Sequence, residues 1–526
     1  MTITDLTKEK VNSKLLEYGL FSEKLTTIFQ SKDFGKWIKK AKPNLYSDRS
    51  FSTISYRLTR NNNAPRIIDI PHPLSYYRLC EHIRLNWEEI IDKIGEIDDY
   101  AKTSMVIPKP NNLNHRLVSM KSYDKKDDEK LLILDKSFGK KYLVQIDIAN
   151  CYPSIYSHSV PWALVGHQKA KDNMNDKNKW YNQLDFAIRS MQRNETIGLP
   201  IGPDTSSLLS ELILTRVDKE LENYDYLRFI DDYRCYCKSQ EEADEFIRKA
   251  SRELEKYHLR LNTKKTKITE LPIPIDEDWV RQLRQYSSKF LRKSKYKERD
   301  INTISEFIDL SIKLTKEFPG ESPIRYAVKI LSGKEFVDDK IFGFVIMSLS
   351  RLCFIYPYFI DLFDNLLNRN EKHISKDILK IIESEINSLT KEHIKYSRSD
   401  VALWSLHLAT NYKFQIENFE TYSDQLLSDR DALPSLLCYF YAKSNKLKTT
   451  KKYFEFIETI KKEKLEDEWW IYIYELYREK NGSPEFKTIQ YKDFYELMRE
   501  ANITFRQCKK TNAQHGFCVR RGGVQT

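Results

Sequence analysis

The stretch KYLVQIDIANCYPSIY, residues 141–156, decides the fold. Its first residues alternate as a β-strand does, with Tyr142, Val144, Ile146 and Ile148 on one side and Leu143, Gln145 and Asp147 on the other. The apolar side is expected to pack on helices. The other side is expected to open toward a cleft, with Asp147 near the carboxyl end of the strand.

Downstream, YLRFIDDYRCYC (226–237) has β-favouring residues on both sides of Asp231 and Asp232. This predicts a hairpin whose tight turn carries two adjacent carboxylates into the same cleft. Three acids of this kind supply the hard oxygen donors that hold two Mg2+ ions about 3.5 to 4 Å apart in two-metal phosphoryl transfer. The dipeptide alone does not carry that reading, because Ile-Asp-Asp-Tyr also occurs at 97–100. There it sits in EEIIDKIGEIDDYAK, a charge-rich context that predicts a helix end with solvated acids. Asp127-Asp128 and Asp338-Asp339 also lack flanking strands and are read as structural.

Between the two β runs lies GLPIGPDTSSLLSEL (198–212), whose glycines and prolines predict a tight turn before a helix started by Asp204, Thr205 or Ser206. Upstream, residues 8–41 carry helical spacing and are followed by an irregular, Ser/Arg/Asn-rich stretch from Pro43 to Pro65. RIIDIPHP (66–73) then reads as a short strand stopped by prolines, and Tyr76 to Trp87 as an amphipathic helix. From 141 to about 270 the pattern is α+β. Beyond about 290 the β signal disappears, and amphipathic, Lys-rich helices continue to about 482. Three of them, beginning at Asp400, Asp431 and Glu468, share an acidic start and a dense apolar stripe. Their spacing fits helical-hairpin repeats stacked as a solenoid and equally an irregular helical bundle. The division expected is 1–290, 291–508, and a flexible basic tail over 509–526.

Composition sets outer bounds. The formal charge of +11 comes from only 87 basic against 76 acidic residues in a chain of 526, so most charges are expected to solvate helical faces. The eight cysteines show neither CxxC pairs nor a disulfide framework, which predicts reduced thiols. Cys508, His515 and Cys518 are too irregularly spaced to predict zinc. The first residues, MTITDLTKEK, lack an apolar signal core, and the apolar tract Ile341–Leu362 is interrupted by Arg351, Pro357 and Asp361. A buried helix pair is expected there, in a soluble protein of the cytoplasm with no membrane partner.

Taken in order, a strand Asp with an aromatic five residues later, a Gly-x-Pro-x-Gly turn into a Ser-containing helix, and an x-x-Asp-Asp hairpin resemble reverse-transcriptase motifs A, B and C. LRLNTKKTKI (259–268) resembles motif D. The resemblance spans roughly Arg66 to Ile268. It implies a right-hand palm and fingers, with Asp147, Asp231 and Asp232 binding two Mg2+ ions, Mn2+ as a substitute, and the Ile148 carbonyl as a further ligand. Tyr152 matches the steric gate that favours deoxynucleotides, or else closes the core. Gly198, Pro200, Gly202 and Ser206 match the motif B turn, where bare backbone lets a nucleotide approach, or else simply start a helix. Lys265 matches the motif D lysine, which protonates the departing pyrophosphate or only neutralises phosphate. Arg66 and Arg116 lie in the fingers region, as triphosphate clamps or as ordinary ion pairs.

The closer resemblance is to bacterial defence-associated reverse transcriptases of the abortive-infection, AbiK-like group, carried by DIANCYPSIYSHSVPWALVG (147–166) and RIIDIPHPLSYYRLCEHI (66–83). It implies an α+β polymerase followed by an all-α, HEAT-like repeat domain. It also implies an anti-phage role, dNTP substrates, an RNA or DNA product strand, a non-coding RNA partner, homo-oligomers, and synthesis that is protein-primed and either templated or template-independent. Motif C departs from the common pattern by reading Phe-Ile-Asp-Asp: Phe229 keeps the ring and loses the hydroxyl. The alternative is an RNA-binding scaffold in a defence complex with little polymerase activity, working through its aromatic, Lys-rich helices.

Overall fold

The computed structural model describes residues 6–43, 45–46, 48–60, 64–95, 116–117 and 127–507. The Ile-Asp-Asp-Tyr copy at 97–100, the tail after 508, and Cys508, His515 and Cys518 lie outside the described residues.

The 141–156 stretch forms the centre of the expected sheet. Strand β3 (Tyr142–Asp147) lies between β5 (Asp232–Cys237) and β6 (Lys267–Glu270), with β4 (Asp225–Phe229) outside β5, and all three pairings are antiparallel. Val144, Ile146 and Ile148 are buried in the main core. The opposite face is not wholly open as expected. Leu143 joins Ile133, Leu227 and Tyr236 in a second small core, roofed by the helix Asp127–Ser137, so only the carboxyl end of β3 faces the cleft.

The helix Asp204–Glu220 is buried on almost every side, which marks it as an interior element despite a polar sequence. Upstream, the lead-in resolves into two helices, Lys8–Tyr18 and Lys32–Ala41. The stretch read as irregular contains a strand, β1 (Ile54–Leu58), paired antiparallel with β2 (Arg66–Ile70). Ile54 and Tyr56 alternate inward there, but the run is short and polar between them, and only pairing with β2 makes it a strand.

Past residue 290 the chain is helical apart from a parallel pairing of Lys295–Tyr296 with Glu335–Phe336, too short to leave a periodic signal. The helix Asp339–Ile355 packs on Lys376–His393, which packs on Ser399–Tyr412, then Ala432–Ser444, then Trp470–Glu479, and the last helix ends at Glu500. The tract 341–362 spans the first of these helices, the turn after it and the start of the helix Asp361–Arg369, and no helix among the described residues is long and apolar enough to cross a membrane. Asp338 caps that first helix by accepting the Ile341 amide at 3.1 Å, the structural role expected for this acidic pair. The six described cysteines are free and buried.

The acidic helix starts tie this stack to the rest of the chain. Asp400 accepts the Thr59 amide at 2.7 Å and its hydroxyl at 2.9 Å, and Ser399 accepts the Arg57 amide at 3.2 Å, so the Ser399–Tyr412 helix is fastened to β1. Farther on, Gln30 N–H donates to the Phe505 carbonyl at 2.9 Å and Gln507 N–H to the Ile28 carbonyl at 2.6 Å. One apolar core runs from Leu6 to Phe505.

Asp431 is buried, burial pushes its carboxyl up to about 7, and among the described residues its Oδ2 has no hydrogen-bond partner. A carboxyl whose folded value lies above its unfolded value stabilises the fold while protonated and loses that contribution as pH rises through about 7. Asp431→Asn therefore should raise the melting temperature relative to wild type at pH 8, by a difference that shrinks steadily as pH falls from about 7 toward 4. A constant difference across that range, by calorimetry, contradicts the assignment.

Candidate active site

Three chain segments meet at the carboxyl end of β3. Asp147 and Asp232 stand directly opposite each other in the β3–β5 register. Asp231 occupies the two-residue β4–β5 turn, and its carbonyl accepts the Ile148 amide at 3.2 Å. From the third segment, Asn262 donates its amide N–H to the Asp147 carbonyl at 2.7 Å and its side chain to Oδ1 at 3.0 Å. Lys265 Nζ donates to Asp147 Oδ2 at 2.7 Å. The sequence reading placed Lys265 beside the acids but missed Asn262, three residues before it.

The turn is strained. Ile230 has φ +59°, a left-handed conformation that a β-branched side chain strongly disfavours and that two-residue hairpins normally give to glycine. What holds it is Arg228, on the inward face of β4 and fully buried. Arg228 Nη1 donates to the Ile230 carbonyl at 3.0 Å and to Glu211 Oε2 at 3.0 Å, while Nε donates to Asp218 Oδ2 at 2.9 Å. Glu211 and Asp218 lie two turns apart on one face of the Asp204–Glu220 helix, so a single guanidinium pins the hairpin to that helix. Burial works against its charge, yet Asp218 and Glu211 hold the guanidinium well above its ordinary range. None of these three residues was singled out from sequence; the available signal was an arginine at an inward strand position.

The glycine turn docks on the other side. Gly198 N–H donates to the Ile155 carbonyl at 2.8 Å and Leu199 N–H to the Tyr152 carbonyl at 2.9 Å. Gly198 and Gly202 have φ +97° and +132°, and a Cβ on Gly202 would stand 2.9 Å from Ile68 of β2. Buried Pro200 lies between them. Tyr152, half-buried, donates its hydroxyl to Ser207 at 3.2 Å, and burial raises the phenol's pKa.

Two expected residues stand elsewhere. Ser206 is fully buried, and among the described residues its hydroxyl has no hydrogen-bond partner, so the turn's serine that meets Tyr152 is Ser207. Arg116 pairs with buried Asp204 and donates to the Tyr18 carbonyl at 2.8 Å and the Phe21 carbonyl at 2.6 Å. Of the roles open to it, the ion pair is the one its surroundings supply. Arg66 lies within the field of Asp231: burial and Arg60 lower its pKa, and Asp231 and Tyr152 raise it.

Burial, followed by the charges of Asp231 and Asp147, pushes Asp232 up to about 6, and Asp231 moves the same way. Lys265 opposes both shifts. Asp232 is also exposed, so mutual repulsion is the part of its shift that a bound cation would relieve. Hard carboxylate oxygens that repel one another fit a divalent cation. They are not gathered into a ready cage: among the described residues no three His, Cys, Asp or Glu side chains are grouped closely enough to hold an ion.

Residues 88–298 match the family model described as reverse transcriptase (RNA-dependent DNA polymerase). This match covers less than half of the chain; it identifies a reverse-transcriptase domain and indicates an RNA-directed DNA polymerase. No curated protein matches the chain. Among solved structures, apo telomerase from Candida tropicalis is similar at 11% identity with a TM-score of 0.34, over 75% of this chain and 77% of that one. Telomerase from Candida albicans with a TWJ fragment of telomeric RNA is similar at 12% identity with a TM-score of 0.28, over 69% and 68% of the two chains.

Arg228→Met leaves Glu211 and Asp218 buried without their cation and is expected to cost roughly 3–5 kcal/mol in urea unfolding, with most of that recovered when Glu211→Gln and Asp218→Asn are added. A triple variant as unstable as the single one would refute the pairing. At the acids, Asp232→Asn removes a repulsion that is present only once the carboxyl ionises, above about pH 6. The metal-free variant should therefore melt higher than wild type at pH 8, by a difference that shrinks as pH falls from about 6 toward 4, and the opposite pH order counts against a crowded carboxylate cluster.

Proposed function

We propose that this reverse-transcriptase domain joins deoxynucleotides to a 3′-hydroxyl or a protein hydroxyl, in a Mg2+-dependent reaction centred on Asp147, Asp231 and Asp232. The observation that carries the reading is the facing of Asp147 and Asp232 across β3 and β5 with Asp231 in the adjoining turn. Those three carboxylates would hold the metal, with the Ile148 carbonyl nearby as a fourth oxygen. Magnesium bound there, or manganese in its place, supplies charge stabilisation to the phosphoryl oxygens.

The remaining roles belong to the chain itself. The Tyr152 ring, fixed through Ser207, lies where a 2′-hydroxyl would clash, which favours deoxynucleotides. The Gly198–Gly202 turn presents bare backbone to the nucleotide. Lys265 gives up its bond to Asp147 and neutralises or protonates the departing phosphate. Arg66, already within the field of Asp231, reaches the triphosphate. Arg116 acts behind the site, by holding Asp204 at the start of the Asp204–Glu220 helix, and Ser206 fills the buried first turn of that helix.

The resemblance of residues 66–83 and 147–166 to defence-associated enzymes supports an anti-phage role in the bacterial cytoplasm, with a non-coding RNA partner and self-association of the chain. Templating by that RNA and untemplated addition from a protein hydroxyl are both compatible with this active site.

Purified protein is expected to incorporate dNTPs with Mg2+. Asp231→Ala should reduce incorporation by more than about a hundredfold. Tyr152→Ala should increase ribonucleotide use relative to deoxynucleotide use about tenfold or more. Undiminished incorporation or phage protection by Asp231→Ala would rule the site out.

A further inference from the structure

A cavity of about 1150 Å3 opens on the flank formed by the helices Ser159–Val165 and Trp180–Ser190, and Ser154 and Ile197, which follow Tyr152 and precede Gly198, are part of its wall. The reaction described above does not use it. Its wall carries a continuous cluster of rings. Tyr156 lies 4.7 Å from His158 and 5.6 Å from Trp162 between ring centroids, and Trp162 lies 4.6 Å from His167 and 5.3 Å from His258. His167 and His258 are exposed and Tyr156, His158 and Trp162 are half-buried, so the cluster presents ring surface rather than closing on itself.

Two features select an occupant. The first is charge. The acid on the inner wall, Asp185, is held by His158 Nδ1 at 3.0 Å and Arg189 Nε at 3.1 Å, and despite burial these partners keep its carboxyl below the ordinary range. Asp48 is the other acid on the wall, set off by Lys171 and Lys177 once Arg189 is paired with Asp185. The second is continuity with the site. Tyr156 pairs by a β-bridge with Ile197, which lines the cavity, is 67% exposed and immediately precedes Gly198. A strand whose backbone crosses the glycine turn therefore passes one residue from the rings.

We propose that this cavity receives unpaired nucleobases of a single-stranded nucleic acid, stacked on Trp162, Tyr156 and the neighbouring imidazoles, with Lys171 and Lys177 against its phosphates. Every base has a π-face, so such a platform holds a strand with little regard to sequence. An apolar peptide would gain nothing from the cations, and a duplex would hide its base faces. The proposal rests on the polymerase reading only in supposing that a strand crosses the Gly198 turn.

The test uses the full chain and a short single-stranded oligothymidylate, in fluorescence anisotropy and in photocrosslinking with 5-iodouracil in place of thymine. Crosslinks are expected on Trp162, Tyr156 or the adjacent histidines. Trp162→Ala is expected to weaken binding about tenfold or more and Trp162→Phe to restore most of it. Because Trp162 is partly buried, the exposed pair His167→Ala and His258→Ala serves as a second variant expected to weaken binding in the same direction. Binding by folded Trp162→Ala within twofold of wild type, or crosslinks confined to other surfaces, overturns the proposal. Asp231→Asn separates the two readings, since it should lose synthesis and keep both binding and crosslinks. If wild type synthesises nothing yet crosslinks at Trp162, the polymerase reading falls and the cavity stands. If it synthesises and the crosslinks avoid the cavity, the reverse holds.

Discussion

The site depends on one buried guanidinium. Arg228 is out of contact with solvent, and its donors are divided among Glu211, Asp218 and the carbonyl of Ile230. The planar fork of arginine can satisfy two carboxylates and a carbonyl in fixed directions, which a lysine's single ammonium cannot. That geometry matters because the turn it holds is unfavourable twice over. Ile230 is forced to a positive φ, and Asp231 and Asp232 set adjacent negative charges beside Asp147. A buried ion network of this kind adds little net stability over an apolar equivalent. Its contribution is positional: it prevents the hairpin from relaxing to a looser turn that would spread the acids apart.

Much of this arrangement was legible in the sequence, and the limits are physical. Alternation in β3 and the β runs around Asp231 and Asp232 fixed the strands, because a sheet buried on one face writes a period of two into its residues. The same alternation puts Arg228 inward, yet says nothing of what it meets, since Glu211 and Asp218 are on a helix whose rotation about its axis is set by tertiary packing. Ser206 and Ser207 illustrate the same limit. They are neighbours in sequence, one helical step apart in direction, and only the docked turn decides which meets Tyr152. Arg116 is 88 residues from Asp204, too distant for any local pattern to pair them.

Other misses arise where a segment draws its identity from a partner. β1 is polar and short, and becomes a strand through β2 on one side and the Ser399–Tyr412 helix on the other. The opposite face of β3 was expected to be open, because Gln145 and Asp147 dominate it; Leu143 instead buries against Ile133 and Tyr236, since the amino-terminal end of the strand lies under a helix. The acidic starts of the three C-terminal helices were visible, while their use was not. Asp400 is a buried acceptor for Thr59, and burial pushes its carboxyl up to about 6. Asp400 therefore acts as a polar fastener between the helical stack and the end of β1 as well as a helix start.

The helix Asp204–Glu220 is the common reference for all of this. At its start, Asp204 takes Arg116 and so the loop after the first helix. In its first turn, Ser207 takes the Tyr152 hydroxyl. Farther along, Glu211 and Asp218 take Arg228 and through it the turn that carries Asp231. A helix is stiff over this length, so the ring that would lie against a sugar and the acids that would hold a metal are both referred to one rigid body. A displacement of the helix would move the ring and the hairpin together and preserve their mutual spacing, whereas loss of either link would change that spacing alone. The glycine turn just before the helix has the complementary property. Its bonds to Tyr152 and Ile155 are backbone to backbone, so it follows the segment after Asp147. The rigid element fixes the reacting groups, and the turn that precedes it leaves room beside them.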